Sequence, residues 1–192
     1  MSFLTRKQLT EKGFLSLGEN VFISEKTSIY GASRIQIGSH VRIDDFCILS
    51  AGEDGICLGN YIHIACYTSL IGKARITLAD YSNLSSRVSI YSSNDDYSGN
   101  HMTNPMVPAE FTNVSHSPVS IGRHCIIGSG TVILPGVILE EGSAVGALSL
   151  ITKKCDAFGI YVGAPARFIK KRSSGLLERE KALLGLNESR TK

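Results

Sequence analysis

Aliphatic side chains recur at every sixth position of this chain. Ile121, Ile127, Ile133, Leu139, Val145 and Ile151 hold one phase through IGRHCI-IGSGTV-ILPGVI-LEEGSA-VGALSL-ITKKCD. Upstream the same spacing gives Leu17, Ile23, Ile29, Ile35; then Ile37, Ile43; then Leu58, Ile64, Leu70, Ile76; then Leu78, Leu84, Ile90. A helix repeats near 3.6 residues and an amphipathic strand at 2, so period six belongs to neither. It fits an all-β solenoid in which three short strands and three turns make one triangular coil, with aliphatics stacked inward on their counterparts above and below. Leu17, Ile37, Leu58 and Leu78 follow one another at 20, 21 and 20 residues, which is three hexads plus an enlarged corner. Four residues after each aliphatic stands a mostly small or β-branched side chain (Val41, Cys47, Thr68, Ala74, Ser82, Val88, Thr131, Val137, Ser143, Ser149), as a second, cramped inward position requires. An ordinary β-sandwich does not hold one phase over six hexads.

Three segments break the repeat. Residues 1–13 predict a short helical cap stopped at Gly13. Residues 91–120 form an excursion with Pro105, Pro108 and Pro118 and no hexad; a long loop interrupting a regular stack points to function. Residues 173–192 predict a C-terminal helix and tail, with Leu176, Leu177, Leu183 and Leu184 covering one face. Between them, 14–90 and 121–172 read as coils, all within one domain of 192 residues.

A net charge of +3 does not mark a nucleic-acid binder. The five cysteines (Cys47, Cys57, Cys66, Cys125, Cys155) form no C-x-x-C pair and lie in aliphatic contexts, which predicts reduced, buried thiols. Charge appears by Arg6 and Lys7 and no run of about 18 apolar residues exists, so no signal peptide or membrane span is expected, and the chain reads as cytoplasmic.

The hexads, the excursion and the ending Gly163-Ala164-Pro165-Ala166-Arg167-Phe168-Ile169-Lys170 together resemble the hexapeptide-repeat acyltransferases, over roughly residues 14–172. Within that family the chain is most similar to bacterial sugar acetyltransferases: galactoside and maltose O-acetyltransferases, and N-acetyltransferases of nucleotide-linked 4-amino-4,6-dideoxy sugars. The resemblance implies a left-handed parallel β-helix, a homotrimer with active sites between subunits, and acetyl-CoA as acyl donor, with no metal. It assigns Ser129 and Ala147 to the coenzyme channel, Thr152 and Lys153 to a Thr-Lys pair beside it, and Arg167 and Lys170 to its nucleotide end. The charge distribution agrees: residues 153–172 carry six basic side chains and one acid, whereas residues 1–152 carry ten basic and thirteen acidic. Lys and Arg are natural partners of coenzyme phosphates.

The catalytic position departs from the galactoside pattern. Five residues after the last aliphatic of the coil entering the excursion, where those enzymes place a histidine base, stands Asp95. Asp95 itself, His116 at the return from the excursion, and His101 in mid-loop are the candidate proton acceptors, with His116 and Asp95 leading. Asn94, Asp96, Tyr97 and His101 are candidate sugar contacts, although adjacent acids also brace loops through their own backbone. His40, His63 and His124 read as structural. An amine needs less help from a base than a hydroxyl does. The expected activity is therefore acetyl-CoA-dependent N-acetylation of a nucleotide-linked amino-deoxy sugar, such as dTDP-4-amino-4,6-dideoxyglucose, for surface polysaccharide. O-acetylation of a sugar or glycoside is the alternative. A zinc β-helix enzyme needs three interfacial histidines that the hexad phases do not supply; a non-enzymatic scaffold trimer is the remaining rival.

Overall fold

The computed structural model describes residues 2–190; Met1 of the expected cap and the last two residues of the expected tail lie outside the described residues. The period-six aliphatics become three stacked columns. Leu17, Ile37, Leu58, Leu78, Ile121 and Leu139 pair in parallel register up one face. Ile23, Ile43, Ile64, Leu84, Ile127, Val145 and Tyr161 do so up the second, and Ile29, Leu49, Leu70, Ile90, Ile133 and Ile151 up the third. The result is a parallel β-solenoid with sheets of six, eight and six strands. Most of these aliphatics are under 5% exposed, and all ten of the small second-position side chains are buried too. The two inward sets fill the triangle between them, the larger on each strand and the smaller at each corner.

The ends are sealed as the breaks in the repeat predict. Helix α1 (Arg6–Glu11) starts with a capping box between Thr5 and Gln8, stops at Gly13 in the left-handed region, and buries Leu9 over the first coil. At the other end, Gly159–Gly163 adds a last parallel strand, and Ala166–Lys171 folds back antiparallel on it as a hairpin rather than continuing a coil. Helix α2 (Leu176–Arg190) is tied to the coil corner by Glu180, which binds both Arg123 and His124.

The histidines at hexad corners are stacking rings. His40, Tyr61, Tyr81 and His124 occupy equivalent turns, all in the left-handed region, with neighbouring centroids 4.5, 5.0 and 4.8 Å apart. His63 instead donates its Nε2–H at 2.9 Å to the buried Asp44 carboxylate, which also accepts from Arg42 at 2.7 Å. The five cysteines are free thiols, but Cys57 and Cys66 are only half-buried, contrary to expectation. Cys57 takes the outward position of its strand between Gln36 and Thr77. In Cys47, Cys125 and Cys155, burial pushes the thiols up to about 11.

Candidate active site

The excursion is narrower than the hexads suggest and its base is ordered. Tyr91 still belongs to a coil strand and Val119 already re-enters one. Between them Ser93–Asn94 pairs antiparallel with Ser115–His116. Gly72, in the coil below, makes room for this exit, because a Cβ there would overlap the Ser92 hydroxyl. That hydroxyl is buried and donates to Ala74 C=O at 2.6 Å, locking the point where the chain leaves the stack.

Side chains alternate along this two-stranded base, so Ser93 and Asp95 share a face with Val114 and His116. All four line one cavity of about 560 Å³, together with Ile71 and the loop residues Asn104, Pro105, Val107, Ala109 and Thr112. His116 is held at Nδ1 by Ser93 Oγ, 2.8 Å away, and the same Oγ accepts from Lys73 N–H at 2.8 Å. In the tautomer whose Nδ1–H donates to Ser93 Oγ, the Nε2 atom is left as a proton acceptor.

The adjacent acids have opposite fates. Asp96 accepts from Ser98 N–H and Oγ–H and from His101 N–H, and its Oδ2 lies 2.9 Å from His101 Nδ1. The Ser98 donors first, and His101 after them, lower its carboxyl to about 2. Asp96 and His101 therefore brace the loop, and neither lines the cavity. Asp95 is exposed and lines the first cavity; it also lines a second, of about 350 Å³, formed with Asn94, Tyr91, Tyr97, Val132 and Leu134. The two cavities meet at Ser93, Asn94 and Asp95.

The predicted coenzyme residues fall into two groups. Ser129 and Ala147 are exposed at successive turns of one corner, linked by Leu148 N–H to Ser129 C=O at 2.8 Å. Thr152, Lys153 and Arg167 line a small cleft of about 40 Å³ where the last coil meets the hairpin. Lys170 lies farther along that hairpin, opposite Ile160. Four members of the basic segment are already engaged: Lys154 with Glu140 at 2.7 Å, Arg172 with the carbonyls of His124 and Gly142, Arg167 with Ala166 C=O at 3.1 Å and Lys171 with Ala157 C=O at 3.5 Å. Leu134 donates its N–H to Ile151 C=O, and Val132 pairs with Leu150, so the second cavity adjoins the strand Leu150–Ile151, which Thr152 follows. Parallel neighbours are about 4.8 Å apart, which puts the cleft about 10 Å from Tyr91 along one face.

Comparisons with known proteins give the family. Residues 118–153 match the family model of the bacterial transferase hexapeptide (six repeats). The chain is 58% identical over 180 residues to a dTDP-4-amino-4,6-dideoxy-D-glucose acyltransferase of Escherichia coli, covering 94% of each. It belongs to the hexapeptide-repeat acyltransferases. AntD, an N-acyltransferase from Bacillus cereus solved with dTDP and 3-hydroxybutyryl-CoA, superposes with a TM-score of 0.93 at 44% identity, over 97% of this chain and 98% of that one. A maltose O-acetyltransferase from Clostridium difficile 630 shares the fold at TM-score 0.58 and 23% identity, over 88% of this chain and 74% of that one.

Several residues of the acyltransferase's cavities escape a reading of the sequence. Ser93 looks like a loop serine until the 93–116 pairing sets it under His116. Ile71 and Val132 read as ordinary outward strand positions. Only the phase signals them: they are apolar where the hexad expects a surface residue.

Proposed function

We propose that this acyltransferase moves an acetyl group from acetyl-CoA to the 4-amino group of a dTDP-linked 4-amino-4,6-dideoxyglucose, in the cytoplasm, toward a surface polysaccharide. The observation that carries the reading is the meeting of two cavities at Asp95, a carboxylate with no hydrogen-bond or ion-pair partner among the described residues. The relatives named for dTDP-sugar and coenzyme A chemistry support it. Coenzyme A runs along the face from Thr152, Lys153, Arg167 and Lys170, past Ser129 and Ala147, to present its thioester at the second cavity. The sugar enters the first, where Asn94 and Asp95 orient the amine, with Tyr97 at the rim and Asp96 and His101 stiffening the loop.

The neutral amine attacks the thioester carbonyl, a C–N bond forms, and the C–S bond breaks. The amine proton passes to Asp95 or to His116 Nε2 and then to the departing coenzyme thiolate, so that charge balances. Holding nitrogen and carbonyl together supplies most of the acceleration, because an amine is nucleophilic once neutral.

The assembly we propose is a homotrimer with sites between subunits. Two features support it. The outward column Ser28, Ile48, Ser69, Ser89, Val132, Leu150 carries no charge, and the excursion exposes Tyr97, Met102, Met106 and Phe111, each more than half accessible. An uncharged face and exposed apolar side chains of this kind support self-association.

The test is thiol release from acetyl-CoA with dTDP-linked 4-amino and 3-amino sugars against galactosides and maltose. Turnover confined to the 4-amino sugar is expected. Turnover confined to glycosides replaces this reading with O-acetylation, and His116 Nε2 then becomes the general base.

A further inference from the structure

The first cavity is divided by chemistry. Its polar lining includes Asn94, Asp95 and His116; its apolar lining is Ile71, Val107 and Val114, with Pro105 and Ala109. The polar groups on the apolar side are partly engaged already: Asn104 Oδ1 accepts from Met106 N–H at 3.0 Å and the Thr112 hydroxyl donates to Ala109 C=O at 3.2 Å. Val114 is the pivotal residue. It lies two positions before His116, one residue ahead of the strand Ser115–His116, and both residues line the cavity; it takes the place opposite Asp95 if the pairing Ser93–His116 and Asn94–Ser115 is continued by one residue.

In a 4-amino-4,6-dideoxy sugar, the carbon next to the amine-bearing one carries a methyl group where ordinary hexoses carry a hydroxymethyl. An amine directed at Asp95 and His116 therefore sets that methyl three bonds from the nitrogen, against whatever stands beside them. Here it is Val114, backed by Val107 and Ile71. We propose that Val114 is the residue that reads the missing 6-hydroxyl, selecting 6-deoxy over 6-hydroxy amino sugars; the inference rests on the sugar N-acetylation reading above.

The magnitude follows from the nature of such a wall. A methyl in an apolar pocket is favoured by burial, and a hydroxyl placed there loses its water without finding a partner. An apolar pocket rejects an added hydroxyl by about 100-fold. Val114→Thr keeps the shape and supplies one hydroxyl, so it offers the 6-hydroxyl a partner while making the methyl's surroundings worse.

The experiment compares kcat/KM for dTDP-4-amino-4,6-dideoxyglucose and dTDP-4-amino-4-deoxyglucose, with acetyl-CoA in excess, in the wild type, Val114→Thr and Val107→Thr. The expected wild-type preference is about 100-fold for the deoxy sugar, falling below about tenfold in Val114→Thr through a gain on the 6-hydroxy sugar, with a smaller change in Val107→Thr. Wild type using both sugars within threefold overturns the proposal, as does a Val114→Thr that slows both sugars equally, which assigns Val114 to packing. Absence of turnover with any amino sugar instead refutes the N-acetylation reading on which the proposal stands.

Discussion

Replacing Tyr81 by alanine and by glycine tests the account of the coil corners, because the two substitutions separate stacking from backbone strain. Tyr81 lies between Tyr61 at 5.0 Å and His124 at 4.8 Å, with interplanar angles of 11° and 4°. Each aromatic contact contributes about 0.5–1.5 kcal/mol beyond area burial, so losing both costs about 1–3 kcal/mol in either variant. The backbone at Tyr81 has φ of 62°. A non-glycine residue in the left-handed region carries about 1–2 kcal/mol of strain, which glycine relieves. Glycine's greater freedom in the unfolded chain takes back about 0.5–1 kcal/mol. Tyr81→Gly is therefore expected to be more stable than Tyr81→Ala by up to about 1.5 kcal/mol, the reverse of the usual order in regular strands. For a chain of this size, 1 kcal/mol corresponds to about 2–4 °C, so Tyr81→Ala should melt about 2–12 °C below wild type. The assay is thermal unfolding followed by circular dichroism at one fixed protein concentration, since self-association raises Tm. An alanine variant as stable as wild type, or a glycine variant less stable than the alanine one, refutes the reasoning.

Other consequences are as direct. Asp95→Asn is expected to lower kcat for acetyl transfer about 100-fold or more, whereas Asp96→Asn, which loosens the loop brace, acts chiefly on the acceptor KM; steady-state kinetics on both variants checks the split. Ile64 is fully buried in the second column, and Ile64→Ala should cost about 2–5 kcal/mol in urea unfolding. Burial raises the pKa of Asp44, but hydrogen bonds from His63 and Arg42 outweigh it and hold the carboxyl below its ordinary 3.8. Its contribution to stability is thus complete above that ordinary value and disappears as pH falls through the lowered folded value. Asp44→Asn should flatten that acid limb in a pH series of melting temperatures. Arg167→Ala should raise the KM for acetyl-CoA several-fold and weaken its dependence on salt, read from initial rates at two ionic strengths.

The coils are legible in the sequence because their determinant is local and repeated. Ile121 to Ile151 fixes strand, turn and phase within each hexad, and stacking like on like leaves one consistent register. The corner small residues, from Val41 to Ser149, are legible for the same reason, since each fills a space the next coil defines. The site is only half legible. Asp95 is found by counting from Ile90, but its freedom from partners is not, because Asp95 and Asp96 are equivalent as letters. What separates them is the turn that aims Ser98 and His101 at Asp96 alone. The role of Ser93 and the placing of Val114 beside His116 depend on closing a loop of more than twenty residues, and no local pattern encodes that pairing. The hairpin at Ala166–Lys171 departs from a coil for a related reason: it follows the last hexad, where no further coil exists to set its direction.

The central claim is that the acyl group arrives on the sugar nitrogen. The most direct measurement is NMR of the product formed from dTDP-4-amino-4,6-dideoxyglucose and acetyl-CoA labelled with 13C at the carbonyl. A labelled carbonyl coupled to an amide proton at position 4, formed in step with thiol release, is the predicted result. A labelled ester on a ring hydroxyl, or thiol release with no amide formed, would contradict it.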